Sequence, residues 1–488
     1  MESRFLTVWA VVAHVEERLT SGLNAAELAR STGFSLAHLR QIFAQATGAP
    51  LARYMLRRRI ANAAFDLLHT PHTALDIACA YGFQNPDTFT RAFRRCTGMT
   101  PQDFRKRRPP IARAKLAAGV YGVALAGTTQ ERNYHGMKKE QNLGETVLYG
   151  VPKVHYGAYN GCTPYPICLK ACANYLGEDI PYSAVMALTG AAFRLAWNTK
   201  EWDGGNVDIL FAFDDPARAY RAGIEALGRE CAVLARTPET TKAEFIDFLR
   251  GRIDGGNPCI ALGIIGPPEA CIVTGYRDGG DTLLGWNFFQ DNPEFGGKAR
   301  LDACGYFVCD DWWENPYTVA LIAMGDPAGP PAAPRRVIET AIEVLSGRQC
   351  GDMAKGVAAY DAWRSAIADD SQFPANAVLP LLAERMMCQG DAMDCLADGR
   401  SNAGKYLIGL AEHHPQKEGL LAAARHFEEV VKQVQAMADL LGGWSRGEAQ
   451  MRKLGEPQVR RALCERIDAA KEADSRALDA LRAVVTLL

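Results

Sequence analysis

The first hundred residues contain an internal repeat, and this repeat constrains the fold more than any other feature of the chain. Five residues of the first copy, Ala29, Gly33, Phe34, Phe43 and Gly48, recur as Ala78, Gly82, Phe83, Phe93 and Gly98. The displacement is 49 or 50 residues, and two copies at such a period indicate two similar supersecondary units. Each copy contains a short helix, a turn with a Gly-Phe pair and a second helix. Because glycine tolerates the left-handed backbone of such a turn, the pattern predicts two helix-turn-helix units.

The second helix of each copy has an apolar side and a polar side. In the first copy the apolar side is Leu36, Leu39, Ile42 and Phe43, and the opposite side is Ala37, His38, Arg40, Gln41 and Gln45. In the second copy the apolar side is Phe89, Ala92 and Phe93, and the outward side is Asp87, Thr88, Thr90, Arg91 and Arg95. A helix predicted over Leu51–Leu68 connects the copies. A stiff connector suits two outward faces that enter successive major grooves of duplex DNA.

The charge of the chain is divided unevenly. Residues 1–110 contain 14 arginines and one lysine against eight acidic residues, which gives a net charge of +7. The whole chain has a net charge of −2, so the remaining residues carry −9. A small basic module on an acidic body is typical of a DNA-binding head joined to another domain, although basic termini are also common.

The repeat resembles the tandem helix-turn-helix domain of the AraC/XylS family of bacterial regulators over about residues 6–107. The matching segments are ELARSTGFSLAHLRQIFAQATG, RRRIANAAFDLL and IACAYGFQNPDTFTRAFRRCTGMTPQDFR. The C-terminal end of the last segment, GMTPQDFR, is particularly typical of the family. The resemblance implies that Ala37, His38, Arg40 and Gln41 face bases in one groove, and that Asp87, Thr88, Thr90 and Arg91 face bases in the next. Pro86 and Asp87 depart from the polar or basic residues often found there. For one helix alone, a solvated face is the alternative interpretation.

The length of 488 residues predicts about three domains. Pro109-Pro110 ends the last helix of the head (residues 1–108), and a connector is expected over 109–146. Between 147 and 325, the short β-like runs NPCIALGII, EACIVTGY and DTLLGWNFF alternate with amphipathic helical stretches, which predicts an α+β middle domain. Beyond the Pro/Gly-rich segment 326–334, residues 335–488 contain no convincing strand and favour long helices, for example Lys417–Leu441 and Pro457–Leu487. This all-α region could cover the middle domain or form a dimer contact.

A cysteine precedes a predicted helix in the middle domain. The segment NGCTPYPICLKACANYLGEDI places Cys162 before that helix, and a helix N-terminus lowers the pKa of a thiol. With the later EACIVTGYRDGGDTLLGWNFF, this order resembles the papain-like bacteriocin-processing peptidases and the butirosin biosynthesis protein H-like acyltransferases over about residues 147–325. The resemblance implies a papain-like fold in which a histidine opens the V-x-G-Y strand. Cys271 stands at that position here, and Asn287 corresponds to the residue that orients the histidine.

The histidines argue against catalysis. No histidine occurs between His155 and His413, whereas nucleophilic cysteine chemistry needs a base. His155 could reach the site, but nothing in the spacing requires it. We therefore predict no enzymatic activity and a degenerate hydrolase-like cleft that senses a small-molecule effector. The candidate effector-binding residues are Cys162, Arg194, Trp197, Cys271, Trp286 and Asn287.

These candidates have alternative interpretations. Arg194 could hold an anion and the tryptophans could offer aromatic surfaces, or the aromatics are core and Arg194 is a structural ion-pair partner. Two rival functions stay open: a Cys162-dependent acyltransferase or amidase with a DNA-binding head, and a thiol-based redox or soft-metal sensor. For the sensor, Cys168 and Cys172 are four residues apart on one helix face. We predict no metal and no cofactor, because no C-x-x-C pair occurs and buried cysteines usually behave as apolar residues.

The remaining expectations concern location and partners. Fourteen irregularly spaced cysteines, the early acidic pair Glu16 and Glu17, and the lack of an uncharged apolar run of about 18 residues predict a cytoplasmic chain with reduced thiols and no membrane segment. The expected partners are double-stranded DNA and a small-molecule effector, with a possible homodimer.

Overall fold

The structure is a computed structural model. It describes residues 37, 40, 51–69, 72–83, 85–97, 99–107, 138–203, 208–291, 300–347 and 349–487. We refer to the described residues up to 107 as the head and to those from 138 onwards as the body. Across these ranges, no helix combines the length and the apolar character that crossing a bilayer demands.

The head contains the second copy of the repeat and the connecting helix. Its helices are α1 (Leu51–His69), α2 (Ala74–Ala80), α3 (Pro86–Thr97) and α4 (Pro101–Arg107). A capping box begins α2, because Thr73 Oγ1 accepts from the Asp76 amide at 3.1 Å and the Asp76 carboxylate accepts from the Thr73 amide at 2.9 Å. After α2, Gly82 has a φ of +73°. The predicted left-handed glycine turn is therefore confirmed for this copy.

Aromatic rings form the core of the head. The Phe89 ring lies 5.1 Å from that of Phe83 and 5.4 Å from that of Phe93, and the Phe93 ring lies 5.2 Å from that of Phe104, all measured between centroids. Phe89 and Phe93 are buried, as the predicted apolar side of this helix requires. The helix predicted over Leu51–Leu68 is also confirmed, with one further residue at its end.

A nine-stranded antiparallel sheet forms the centre of the body. The strands of the body are β1 (Lys138–Asn142), β2 (Glu145–Tyr149), β3 (Ala196–Asn198), β4 (Arg229–Ala235), β5 (Cys259–Leu262), β6 (Ala270–Arg277), β7 (Thr282–Trp286), β8 (Arg300–Leu301), β9 (Phe307–Cys309), β10 (Ala320–Pro327) and β11 (Met353–Lys355). Of these, β3 and β11 form a separate two-stranded sheet. The order in the large sheet is β4-β10-β5-β6-β7-β9-β8, with β2 also on β6 and β1 on β2. The three predicted β-like runs correspond to β5, β6 and β7, so these strands are confirmed.

Helices surround this sheet and extend beyond it. They are α5 (Pro164–Tyr175), α6 (Tyr182–Leu188), α7 (Pro216–Ala226), α8 (Lys242–Asp254), α9 (Pro334–Leu345), α10 (Val357–Ala368), α11 (Leu379–Ala411), α12 (Lys417–Leu441), α13 (Glu448–Gly455) and α14 (Pro457–Val485). Short 3-10 helices occur at Ala158–Asn160, Ala191–Phe193, Ile209–Ala212, Asp278–Gly280 and Asp370–Gln372. The predicted helix Lys417–Leu441 is confirmed at both ends, and the helix predicted over Pro457–Leu487 ends two residues earlier.

The C-terminal helices and the sheet share one hydrophobic core. Ile260 of β5 and Ile272 of β6 belong to the same buried cluster as Leu407 of α11 and Leu481 of α14. The Pro/Gly-rich segment at 326–334 therefore separates two stretches of chain that pack together. Helices α10–α14 also enclose a second core, to which Trp197 of β3 contributes.

One expectation about strands is wrong, and a further strand lies within the expected connector. Residues 335–488 do contain a strand, because β11 pairs with β3 through Met353 opposite Asn198 and Lys355 opposite Ala196. Three residues are too few to show the alternation that identifies a strand in sequence. The expected connector 109–146 also contains β1, whose side chains are largely exposed. An edge strand of this kind is polar on both faces, which hides it from a hydrophobicity pattern.

Candidate functional site

Helix α3 presents polar and basic side chains to solvent. Of the four residues predicted to face bases from the second copy, Asp87, Thr88 and Arg91 are exposed and Thr90 is half-buried. Arg94 and Arg95, in the last turn, are exposed as well. The face thus combines hydrogen-bonding groups with cations, and protein–DNA contacts use both kinds of group.

Hydrogen bonds within the head fix the start of α3 and give Arg105 of α4 a structural role. Asn85 Oδ1 accepts from the Asp87 amide at 2.7 Å at the start of α3. Arg105 of α4 donates from Nε to the Leu67 carbonyl at 2.8 Å and from Nη2 to the His72 carbonyl at 2.5 Å. These bonds hold α4 against the end of α1, so Arg105 stabilises the head.

Two predicted base-facing residues of the first copy can be placed. Ala37 and Arg40 have helical backbone and are exposed. Because they are three residues apart, they share one helix face. The other two, His38 and Gln41, lie outside the described residues.

The body contains a cavity of about 150 Å³ beside Cys162. Residues 162–165, at the start of α5, form one side of it, and residues 268–270, at the start of β6, form another. Helix α11 contributes Asp391, Asp394 and Cys395. Cys162 and Asp394 are 232 residues apart in the chain, so the cavity exists only where the middle and C-terminal stretches pack together.

Asp398 of α11 joins that helix to the start of α5. Its Oδ2 accepts from the Cys162 amide at 2.9 Å, from Thr163 Oγ1 at 2.7 Å and from the Tyr182 hydroxyl at 3.2 Å. Asn402 Nδ2 donates to the other carboxylate oxygen at 2.9 Å. A buried carboxylate that accepts from four donors fixes the geometry around Cys162.

The Cys162 thiol faces carboxylates. Its Sγ donates to the carbonyl oxygen of Asp394 at 3.8 Å. Burial and the negative charges of Asp398 and Asp394 raise the pKa of Cys162 well above its ordinary value, against the opposing charge of Arg194. The expectation that the helix start lowers this pKa is therefore wrong, because burial and two neighbouring carboxylates outweigh the helix dipole.

Cys271 and Asn287 stabilise the loop after β5. Cys271 Sγ donates to the Gly263 carbonyl at 3.5 Å, and burial raises the pKa of this thiol to about 12. Asn287 Nδ2 donates to the Gly263 carbonyl at 3.0 Å and to that of Ile265 at 3.3 Å. Neither side chain belongs to the cavity wall as far as the structure describes it. The cavity is instead lined by Glu269, just before β6. Glu269 is two residues before Cys271, which stands where the papain-like resemblance implies a histidine.

The two tryptophans proposed for effector binding lie in hydrophobic cores. Trp197 stacks on Trp363 with 5.9 Å between ring centroids, and Trp286 Nε1 donates to the Val151 carbonyl at 2.8 Å. Neither they nor His155 is among the described residues of the cavity wall. Of the six candidates from the sequence, the structure brings Cys162 and Arg194 together at the cavity.

Carboxylates outnumber cations on the cavity wall. The charged residues that line it are Asp208, Glu269, Asp391, Asp394, Arg194 and Arg446. Arg446 donates from Nη1 to Asp391 at 2.5 Å and from Nη2 to Asp394 at 2.6 Å. Arg194 donates from Nη1 to the Ala191 carbonyl at 2.8 Å. Arg194, which could have held an anion, thus lies in a wall with an excess of acidic groups.

Burial raises the pKa of three of these carboxyl groups. The pKa of Asp208 and that of Asp391 are both raised, in each case against a nearby arginine. Burial, with Asp208 and Asp391 nearby, raises the pKa of Glu269 to about 8. Glu269 is therefore mostly protonated at neutral pH.

Sequence analysis missed the contribution of α11. Asp391, Asp394, Cys395 and Asp398 follow one another at spacings that place them on one helix face. The signal is present as DAMDCLAD. Acidic residues on a helix usually face solvent, however, and only the packing of α11 against α5 and α6 turns this face inwards.

Comparisons with known proteins identify the head. Residues 11–107 match a helix-turn-helix domain family. The HTH-type transcriptional activator AarP of Providencia stuartii is 33% identical over 95 residues, which are 20% of this chain and 70% of AarP. The uncharacterized HTH-type transcriptional regulator YbfP of Bacillus subtilis (strain 168) is 35% identical over 91 residues, 19% of this chain and 31% of YbfP. This chain therefore belongs to the AraC family of DNA-binding helix-turn-helix transcription regulators.

Solved structures also match about a fifth of the chain. The C-terminal domain of the two-component response regulator YesN from Fusobacterium nucleatum has 27% identity and a TM-score of 0.19, and covers 20% of this chain and 93% of that structure. A transcriptional regulator with an AraC-type DNA-binding domain from Chromobacterium violaceum has 25% identity and a TM-score of 0.20. The match covers 21% of this chain and 91% of that structure. The chain spans less than a third of YbfP.

Proposed function

We propose that this AraC-family regulator binds duplex DNA through both copies of its head and binds a small-molecule effector in the cavity beside Cys162. The observation that carries the effector assignment is the cavity itself, whose wall combines charged groups from the middle and C-terminal stretches. Concave sites with a few convergent polar groups are where proteins usually bind small ligands. In this proposal the protein acts in the cytoplasm as a homodimer, and the effector alters how the heads are presented to DNA.

The DNA-binding assignment rests on the two outward helix faces. The proposed base-facing residues are Ala37, His38, Arg40 and Gln41 in the first copy and Asp87, Thr88, Thr90 and Arg91 in the second. Of the described members of this set, all are exposed except Thr90, which is half-buried. This exposure and the net charge of +7 in residues 1–110 support the assignment. The exposed Arg94 and Arg95 of α3 would contact phosphates, whereas Arg40 and Gln41 would discriminate bases.

The cavity is proposed to bind its ligand without converting it. A cysteine nucleophile is activated by a lowered pKa or by a nearby base. The pKa of Cys162 is raised, and the described cavity wall contains no histidine. We propose that the middle region is a papain-like fold that has lost catalysis. The position of Cys162 just before α5 and the antiparallel strands β5–β7 later in the chain support this relationship.

The proposed DNA binding is tested by selecting duplexes from a random pool with the purified full chain. We expect enrichment of sites with two half-sites about one helical turn, or 10 base pairs, apart. Enrichment of no sequence, or of single half-sites only, would contradict the two-copy arrangement.

The proposed effector site is tested by a compound screen on the wild type and two matched variants. Ala270→Phe inserts a ring at the cavity wall, whereas Ala328→Phe places the same ring on an exposed loop. We expect at least one compound to raise the melting temperature of the wild type and of Ala328→Phe but not of Ala270→Phe, and to change the affinity for selected DNA. If every stabilising compound acts equally on both variants, the effector does not bind in this cavity.

A further inference from the structure

We infer that the ligand of this cavity is a small organic cation, an amine or diamine about the size of benzene. This inference rests on the proposed effector site and names the chemical class of its ligand.

The first step is the balance of charge on the wall. Four carboxyl groups, of which that of Glu269 ionises only near pH 8, share the wall with two guanidinium groups. Arg446 is held between Asp391 and Asp394, with both contacts at 2.6 Å or less. The carboxyl groups of Asp208 and Glu269 are thus not paired with Arg446, and a negatively charged ligand would meet an excess of like charge.

The second step is Glu269, which lines the cavity with Arg194 as a neighbouring cation. Its side chain accepts no hydrogen bond from any residue that the structure describes, whereas Asp208 Oδ1 accepts from the Leu210 amide at 2.9 Å. A partly buried carboxylate is stabilised by hydrogen-bond donors and by positive charge. A ligand ammonium group supplies the hydrogen-bond donors that Glu269 lacks among the described residues, and adds a second positive charge beside that of Arg194.

The third step concerns the rest of the wall. The Tyr165 and Tyr220 rings lie 5.2 Å apart between centroids and both line the cavity, together with the apolar Ile209 and Leu262. Aromatic faces attract cations, and apolar side chains accommodate a hydrocarbon chain. A volume of about 150 Å³ is large enough to hold benzene, so the expected ligand has a short carbon skeleton.

Protonation of Glu269 gives this inference a pH signature. The charged or titratable groups around it are Asp208, Asp391, Arg194, Tyr220 and Cys168. Because the pKa of Glu269 is raised to about 8 in the free protein, a cation that binds the ionised form must displace a proton below that pH. Affinity should therefore rise between about pH 6 and pH 8, by at most about tenfold per pH unit.

Calorimetry on the full chain with three compounds of equal chain length is the test. The probes are 1,4-diaminobutane, butane-1,4-diol and succinate. At pH 8.5 we expect one diamine to bind per chain, with the diol and succinate at least about tenfold weaker, since hydrogen bonds to charged groups are worth about 1.5–3 kcal/mol. Glu269→Gln should weaken diamine binding at least about tenfold, and Glu239→Gln, an exposed carboxylate, should not change it.

Proton release gives a readout that does not depend on a variant. Binding measured at pH 7 in two buffers of different ionisation enthalpy should show a proton released with each diamine bound. Absent diamine binding, equal binding of the diol or succinate, or unchanged binding in Glu269→Gln would overturn the cationic ligand. The effector site itself would survive that result if other compounds remain sensitive to Ala270→Phe, and it fails only if none is.

Discussion

The head and the cavity use charged residues in opposite ways. On α3 the arginines project from a helix whose other side is a phenylalanine core, so Arg91, Arg94 and Arg95 remain exposed. In the body, Arg400 and Arg446 are buried and held by aspartates. An outward arginine is available to a partner and contributes little to folding. An inward arginine is tied to specific carboxylates, and its removal leaves them unpaired.

The difference also separates what each region can recognise. The exposed face of the head suits an extended, highly charged partner, because many phosphate contacts add up. The cavity suits a small ligand, since a few enclosed groups set its selectivity. Substitution of an outward arginine of α3 should therefore affect DNA binding, and substitution of an inward arginine of the body should affect stability.

The largest expected effect is on stability, at Arg400. Its guanidinium donates to Asp474 at distances from 2.6 to 3.0 Å and to the carbonyls of Ala192 and Arg194, with no side-chain exposure. Arg400→Met leaves Asp474 buried and unpaired, which should lower the free energy of unfolding by about 3–5 kcal/mol. Denaturant unfolding followed by tryptophan fluorescence reports on the body, because seven of the eight tryptophans lie beyond residue 190.

An exposed ion pair provides the matched control. Arg364 contacts Asp468 at 2.9 Å with about half of each side chain exposed. Arg364→Met should change the free energy of unfolding by less than about 1 kcal/mol. Similar losses in both variants would contradict the distinction between inward and outward arginines.

The next effect is on DNA binding, at Arg40. Arg40→Ala removes an exposed side chain from a helix face, so we expect about 1–3 kcal/mol weaker binding to a selected duplex and an unchanged unfolding curve. Fluorescence anisotropy at fixed salt measures the affinity. Arg336→Ala, at an exposed arginine of the body, should leave DNA binding unchanged; a loss equal to that of Arg40→Ala would remove Arg40 from the base-reading set.

A smaller effect concerns the dependence of stability on pH. The pKa of Glu269 is about 8 in the folded protein and about 4.3 in an unfolded chain. Between these values the folded state holds a proton that the unfolded state has released, so the free energy of unfolding falls as pH rises, by at most about 1.4 kcal/mol per pH unit for this group. Glu269→Gln should flatten the decline between about pH 5 and pH 8. An unaltered slope would mean that Glu269 ionises normally.

The smallest expected effect is the reactivity of Cys162. Burial and neighbouring carboxylates raise its pKa, so alkylation by iodoacetamide at pH 7 should be slower than at the exposed Cys79 and Cys350. Mass spectrometry of peptides from the full chain gives the three rates. Alkylation of Cys162 faster than of the exposed cysteines would favour the acyltransferase or amidase alternative.

Several elements could be predicted because they are local. The helix-turn-helix repeat is encoded in glycine and phenylalanine positions, and the β5–β7 strands in short apolar runs between turn residues. Lys417–Leu441 was predicted to the residue because one helix carries its own periodicity. In contrast, β11 and β1 depend on partners elsewhere in the chain, and three residues or a polar edge give no periodic signal.

The cavity could be predicted only in part. Cys162 was chosen for its position before a helix and Arg194 for its aromatic neighbours in the chain, and both line the cavity. Cys271 was also chosen, but the residue that lines the cavity there is Glu269, two positions earlier. On a strand, side chains two apart point to the same face, so sequence periodicity could not separate the two positions. The start of β6 separates them, because Glu269 precedes the strand and lines the cavity, whereas Cys271 lies within the strand.

The sequence by itself determined the AraC-type head, including which side of α3 faces its core, because an amphipathic helix separates its polar and apolar residues within a few turns. Only the tertiary structure decided the character of the cavity. The same aspartates of α11 would have faced water on an isolated helix, and packing against α5 and α6 enclosed them beside Cys162. Burial then raised the pKa of the thiol and of Glu269, since the cost of removing a charge from water depends on everything that surrounds it and not on its neighbours in the chain.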